Sequence, residues 1–414
     1  LFRSPACLRQ AGSLSNKNLK ILKKFVIILL AAKAKANEEE VIKASCRRGM
    51  RGYGSHVRPL RFLSRLNYSM EEIYYDPNFY EFRALVEIAK MFKTPIQINV
   101  NLKDPSSKEQ IEIDGLINIQ KKEWPIEIKS YPLSETQIKL IIDKYKHFGF
   151  KRLKIVAPNF VDKIKSEIDI EYIEFHPNLS LIRKFYKNWK IHLSPRLEEE
   201  LYTGKHHFRY KLAKRAKNSL ARFINQTDKC IKTEKNLIKE INCRIPLNNP
   251  PVRIYWSTAR WLSPKDLYFK NLKQYCLGQP LVFDIDGSLI HKALFPCIIS
   301  PKTGLCNYCI EFALLHTKRL IKFLKNLGFR EIEIVFSGRQ GFHVYVFDKL
   351  LEIAQRVRII KELRKRKIKI DELITLDKKS IITFPSSLHG YSMYQTKIIK
   401  KIDNFSLNDL EKIC

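Results

Sequence analysis

Apolar residues recur every three or four positions across Phe79–Phe92, the spacing of an amphipathic helix. The period then drops to two. Ile96–Val100, Gln110–Ile117 and Trp124–Lys129 alternate as strands, and Arg152–Ala157 is a further one. Between the last two, Ser134-Glu-Thr-Gln opens a helix to about Phe148, with hydroxyls suited to N-capping. A Lys-rich stretch, Leu212–Phe223, reads as helix, and Pro246-Leu-Asn-Asn-Pro-Pro251 marks a boundary. Ile254–Trp261 and Leu281–Asp286 predict strands, and a helix runs from about Ile310 to about Leu327. Glu331–Phe336 and Phe342–Val346 alternate on either side of Ser337-Gly-Arg-Gln-Gly341, which predicts a hairpin. The fold class is therefore α+β and multidomain. It comprises a basic amino-terminal segment (1–69), a smaller α/β domain (70–180), a basic helical connector (181–250) and a mixed-sheet domain (251–414).

Candidate chemistry concentrates in the last of these. Asp284 and Asp286 are two apart on a strand, so both carboxylates leave one face while Phe283 and Ile285 enter a core. Adjacent carboxylates repel, and a cation between them relieves the repulsion. Mg²⁺ and Mn²⁺ are hard cations that take such oxygens and leave positions for phosphate, which suits metal-assisted phosphoryl chemistry. The hairpin turn carries a hydroxyl, a guanidinium and two glycines, with His343 just beyond. Glycine allows close backbone approach, and Arg and His supply charge-assisted donors for a polyphosphate. The same residues also fit a strand ending in solvated acids and an exposed turn beside a core histidine.

A third element, LDKKSIITFPSSLHG at 376–390, follows in order. Asp-x-Asp, then Ser-Gly-Arg-x-Gly-x-His, then Asp377 ahead of Pro-Ser-Ser-Leu-His resembles the archaeo-eukaryotic primase superfamily, closest to the DNA primase small (catalytic) subunit. The resemblance covers roughly 251–414, with about 181 as the alternative start. It implies that Asp284, Asp286 and Asp377 hold two divalent ions, Mg²⁺ or Mn²⁺. One ion activates the 3′-hydroxyl of the growing strand and the other binds the triphosphate. Ser337, Arg339, Gln340, His343 and His389 are the implied nucleotide-binding residues. Two positions depart from the family. Thr383 stands where a basic residue usually lies two before the Pro, and Tyr391-Ser392-Met393 stands where Lys-Thr-Gly is common. Lys378, Lys379 and Lys397 are candidates to replace the missing contacts.

Cys306-Asn-Tyr-Cys309 has the spacing of half a tetrahedral Zn²⁺ site, and Cys297 and His291 precede it. Family members carry a zinc module here, which implies structural Zn²⁺ on His291, Cys297, Cys306 and Cys309, in a module at about 288–312. Cys276 is the alternative fourth ligand, and buried thiols at a helix start are the alternative to zinc. The six other cysteines show no paired spacing, so disulfides are not expected and the compartment is reducing. No second four-Cys group exists for an iron–sulfur centre, so a fused large subunit is not expected.

In the 70–180 domain, Asp114 and then Glu127-Ile128-Lys129 on consecutive strands resemble the PD-(D/E)XK, or restriction-endonuclease-like, superfamily. That pattern implies a divalent ion on Asp114 and Glu127 and a water oriented by Lys129. Glu81 or Glu87 completes the site, with Glu87 taken as the nuclease-site residue. Ile113 replaces the family's Pro. An inactivated copy that only binds DNA and an exposed Glu–Lys pair on an edge strand are the alternatives.

Lys plus Arg exceed Asp plus Glu by 76 − 42 = 34, an excess that suits a polyanionic partner. A Lys- and Ile-rich genomic bias accounts for part of it. The apolar run ending at Ala32 superficially resembles a signal peptide but is too short to span a bilayer, and Met70 is a plausible start. The combined expectation is a cytoplasmic, nucleoid-associated primase acting in replication. Its partners would be single-stranded DNA template, nucleoside triphosphates and a primase large subunit, with no membrane. A repair or end-joining polymerase of the same superfamily, a nuclease whose primase-like half recognises DNA, and a non-catalytic DNA-binding module compete with it.

Overall fold

The computed structural model describes residues 73–103, 110–216, 223–226, 230–245, 248–266, 275–291, 296–410 and 412–413. All fall in one compact unit. The expectations for residues 1–69 lie outside the described residues. The first part runs β1 (Ile73–Tyr75), α1 (Pro77–Phe92), β2 (Ile96–Lys103), β3 (Gln110–Ile119), β4 (Lys122–Ile128), α2 (Glu135–His147), β5 (Arg152–Ala157) and β6 (Asp169–Glu174). Asp76 caps α1 by accepting from the Phe79 amide at 3.0 Å, with Pro77 supplying the first helical φ. Ser134 and Gln137 form the reciprocal capping box that starts α2.

Next come α3 (Leu179–Lys187), α4 (Pro195–Tyr202), β7 (Phe208–Leu212), β8 (Lys214–Ala216), β9 (Ile224–Asn225) and α5 (Glu234–Arg244). Strands thus take up the start, Leu212–Ala216, of the helix expected over Leu212–Phe223, and residues 217–222 lie outside the described residues. Phe208 and Tyr210 alternate inward, and β8 pairs with β1, so cross-strand pairing overrides the helical propensity of the lysines. The remaining elements are β10 (Pro251–Ser257), β11 (Arg260–Trp261), β12 (Cys276–Gly278), β13 (Leu281–Asp286), α6 (Gly287–His291), β14 (Cys297–Ile299), α7 (Asn307–Asn326), β15 (Ile332–Phe336), β16 (Gly341–Val346), α8 (Ile353–Lys365), α9 (Glu372–Leu376), β17 (Ile381–Thr383), β18 (Leu388–His389), β19 (Tyr394–Gln395) and β20 (Lys397–Ile398).

Three sheets carry the architecture. A six-stranded sheet has the order β14-β2-β3-β4-β5-β6, parallel only where β4, β5 and β6 meet. Its outer strand β14 comes from the second half of the chain and pairs Cys297 with Ile98. The 73–180 and 251–414 regions therefore share one sheet. The connector also joins the second half, because β7 and β9 complete the antiparallel sheet β17-β10-β7-β9.

The third sheet, β13-β16-β15-β20, sorts its faces by strict alternation. Leu281, Phe283, Ile285, Phe336, Phe342 and Val344 pack in one core with Leu320 and Leu324 of α7. Val282, Val335 and Tyr345 belong to another, which also holds Trp256, Phe384 and the α1 residues Phe79 and Phe82. Asp284, Asp286 and His343 alternate with the first set, so they open toward the β17–β9 sheet and α1.

Candidate active site

Register places the first two motifs side by side. Asp284 lies opposite His343 and Asp286 opposite Gly341 on the β13–β16 ladder. Asp284 Oδ1 is 3.9 Å from His343 Nε2. The Asp286 carboxylate accepts from the Ser288 amide at 2.7 Å. The third acid differs from the one expected. The Asp371 amide donates to the Asp284 carbonyl at 2.7 Å, a bridge that carries its chain alongside β13. Burial, then the charges of Asp286 and Asp371, push the Asp284 carboxyl up to about 7, against the pull of Arg253. Asp377 is not brought into this group. It sits past the far end of α9, accepts from the Lys379 amide at 2.9 Å, and lines a cavity with Cys276 and Arg356. Asp371 and Asp377 bracket the five residues of α9, a rise of about 9 Å from one to the other.

The second and third motifs interlock. Gly338 has φ +91°, and a Cβ there would meet His389 Cβ at 2.6 Å, so only glycine fits this turn. Ser392 Oγ donates to the Gly338 carbonyl. Arg339 lies 3.9 Å over the Phe82 ring of α1, its Nε buried without a partner. Burial lowers its pKa and Asp286 opposes the shift. His343 Nδ1 is likewise buried and unpartnered. Burial, then Arg253, lowers the His343 pKa to about 3, and the same two causes hold His389 well below its usual value. Both imidazoles are neutral near pH 7, so they offer hydrogen bonds where charged donors were expected. The Ser337 amide closes the hairpin on the Gly341 carbonyl at 2.9 Å. Gln340 turns away from the acids, and its Nε2 donates to Cys309 Sγ at 3.7 Å.

Two residues at this centre escaped the motif pattern. Asp371 ends Ile368-Lys-Ile-Asp, an alternating run that carried the signal of a strand entering the site. Arg253 is the lone base in Pro251–Ser257, and its Nη2 donates to Thr383 Oγ1 at 2.6 Å. Arg260 of β11 is held by Glu200, with Nε donating to Oε2 at 2.9 Å.

Cys297, Cys306 and Cys309 bring their sulfurs within 4.8 Å of one another, the only such group of three donors among the described residues. Cys297 and Cys309 sulfurs are 3.4 Å apart, near the roughly 3.8 Å between two thiolates on a tetrahedral ion with 2.3 Å bonds. Hydrogen bonds from Cys297 and then Cys309 lower the Cys306 pKa, while the reciprocal contacts raise that of Cys309. This soft, buried donor set fits zinc. The side chain of His291 lies outside the described residues, and Cys276 faces the cavity of Asp377.

A second acidic group lies on the six-stranded sheet. Asp114 Oδ2 accepts from the Ile128 amide at 2.7 Å, and Glu127 bonds Lys129, Lys144 at 3.2 Å and Tyr145 at 2.7 Å. Glu81, Asp114 and Lys129 line one cavity of about 660 Å³. Glu87 does not join them, because it pairs with Arg83 at 2.6 Å and Lys90 at 3.1 Å. Six residues along α1 turn it to another face, and Glu81 takes the place expected for it. Burial and then Asp114 push the Glu81 carboxyl up to about 7, and burial and then Glu127 push Asp114 up to about 6.

These raised carboxyls have a consequence for the metal-free protein. Glu81, Asp114 and Asp284 hold protons in the folded state that the unfolded chain releases near pH 4. Stability therefore falls as pH rises from about 4 to about 7. Tm in EDTA should drop by several degrees from about pH 5 to about pH 7.5, and saturating Mn²⁺ should remove most of that drop. A Tm that stays level in EDTA over that range would exclude such crowding.

Residues 283–404 match the family described as DNA primase small subunit. The chain is 26% identical over 209 residues to the DNA primase small subunit of Saccharolobus solfataricus, covering 39% of this chain and 62% of that relative. It is 38% identical over 112 residues to that of Pyrobaculum calidifontis, covering 26% and 33%. It is 33% identical over 128 residues to that of Archaeoglobus fulgidus, covering 30% and 35%. The chain thus spans less than two thirds of the length of these relatives. Among solved structures, the polymerase domain of Mycobacterium tuberculosis ligase D in complex with DNA is similar at 12% identity and a TM-score of 0.34, covering 56% of this chain and 84% of that one. The sequence likenesses support the primase small-subunit family for the second half of the chain.

Proposed function

We propose that the chain is a DNA primase-type nucleotidyltransferase that makes short primers on single-stranded DNA from nucleoside triphosphates, in replication. The observation that carries this reading is the meeting of Asp284, Asp286 and Asp371 beside Arg339, His343 and His389. Asp284, Asp286 and Asp371 would hold the divalent ions, Mg²⁺ or Mn²⁺, which when bound neutralise the triphosphate and acidify the attacking 3′-hydroxyl. Arg339 supplies fixed positive charge to the phosphates, and its seat on Phe82 keeps the fork oriented beside Asp286. His343 and His389, being neutral, donate hydrogen bonds without repelling the guanidinium. Positioning and charge neutralisation are what phosphoryl transfer chiefly needs. The cysteine triad would hold a structural zinc. The net charge of +34 favours a nucleic-acid template, in the cytoplasm at the nucleoid, and a primase large subunit is the expected partner.

A second reading concerns the six-stranded sheet. Glu81, Asp114, Glu127 and Lys129 have the composition of a PD-(D/E)XK nuclease site, favoured by the pairing of Lys129 with Glu127 beside an open cavity. One assay set tests both. Single-stranded template is incubated with NTPs or dNTPs and Mn²⁺, with and without a primer. New strands lost in Asp284→Ala but kept in Lys129→Ala support primer synthesis. Extension only of a supplied primer would overturn initiation in favour of a repair polymerase. Template cleavage lost in Lys129→Ala supports the nuclease, and no cleavage in the wild type excludes it.

A further inference from the structure

Thr383 stands where the resembled family usually carries a base, and a neighbouring strand brings the Arg253 guanidinium to its hydroxyl. We propose that Arg253 binds the triphosphate of the incoming nucleotide, its charge relocated from position 383 to β10. This inference rests on the nucleotidyltransferase reading.

Register explains the placement. β10 pairs with β17 on one side, Tyr255 opposite Thr383, and with β7 on the other, Arg253 opposite Lys211. From two residues before Tyr255, the Arg253 side chain reaches across to Thr383, and its Nη2 donates to the Thr383 hydroxyl at 2.6 Å. The guanidinium lies 4.8 Å from the Tyr255 ring and 5.9 Å from the Tyr391 ring. Two aromatic faces therefore fix the fork, as a preorganised anion site requires.

The charge is uncompensated. Arg253 makes no ion pair among the described residues, and its Nε is buried without a partner. Removing such a group from water without an anion is costly, and a polyphosphate would supply the missing partner. Its field already reaches the catalytic centre, pulling Asp284 down and pressing His343 and His389 toward the neutral form. Lys211, Lys378 and Lys379 do not answer to this description. Lys211 bonds the Tyr391 hydroxyl but also pairs with Asp76 at 3.1 Å, which neutralises it. Lys378 and Lys379 line the separate cavity of Asp377.

The test is equilibrium binding of ATP and AMP in Mn²⁺ to wild type, Arg253→Ala, Arg253→Gln and the double variant Arg253→Ala with Thr383→Lys. Thermal unfolding monitors each fold, and Arg253→Gln, which keeps the stem and a donor for Thr383, decides the matter if the alanine variant unfolds. Loss of the charge should weaken ATP at least about tenfold and AMP by less than about threefold, and Thr383→Lys should recover most of the loss. ATP binding equal to wild type in folded Arg253→Gln, or no recovery by Thr383→Lys, would overturn the assignment. Wild type that binds ATP through Arg253 but makes no strand would sink the primase reading and leave the binding role standing.

Discussion

Asp371→Ala should lower strand synthesis by roughly 10³-fold, while Asp377→Ala should stay within about threefold of wild type. The first loses a carboxylate whose charge already crowds Asp284, while the backbone amide that ties the two segments together is kept. The second loses a group that only bonds its own turn. Asp371→Asn separates charge from shape. It keeps the α9 cap, since an Asn carbonyl accepts from the Leu373 amide as Asp371 does at 3.0 Å, yet it should fall nearly as far as alanine. Primer extension at saturating nucleotide and Mn²⁺ measures all three. Full activity in Asp371→Ala with loss in Asp377→Ala would return the third acid to the position that motif spacing suggested.

The approach of Asp371 to Asp284 marks where local pattern stops being informative. Strand period made the two faces of β13 legible, because alternation is local and Phe283 and Ile285 announce the core side. The hairpin at Ser337–Gly341 was legible for the same reason. Finding Asp371 rather than Asp377 beside Asp284 needed the path of α9, which is set by packing against distant strands. Glu87 failed likewise, since helical spacing tells which residues share a face but not which face meets β3. Arg253 was invisible for a different reason. Its role depends on a cross-strand neighbour 130 residues away, a pairing that no local period encodes. The docking of β14 on β2 belongs to the same class: three residues, Cys297–Ile299, are too short to announce a partner. What survives from sequence is chemistry carried by contiguous motifs, and what is lost is chemistry assembled across sheets.

Removal of one thiol from the cysteine triad should be the most destabilising single change in the second half of the chain. Cys309→Ala should abolish bound zinc, counted by a metal-sensitive dye after thiol release, and lower Tm by more than about 10 °C. Three buried thiols packed within 4.8 Å would act as ligands of one ion, whose binding energy adds to that of folding. Their loss propagates in two directions. Cys297 begins β14, so the edge of the six-stranded sheet loses its outer strand. Cys309 accepts from Gln340 in the hairpin turn, so Arg339 beside it loses a fixed frame and strand synthesis should fall with the metal. Cys276→Ala serves as the control, and zinc content and Tm close to wild type are expected there because its sulfur faces another cavity. A wild-type protein purified without zinc that unfolds at the same temperature as Cys309→Ala would reduce the triad to three packed thiols.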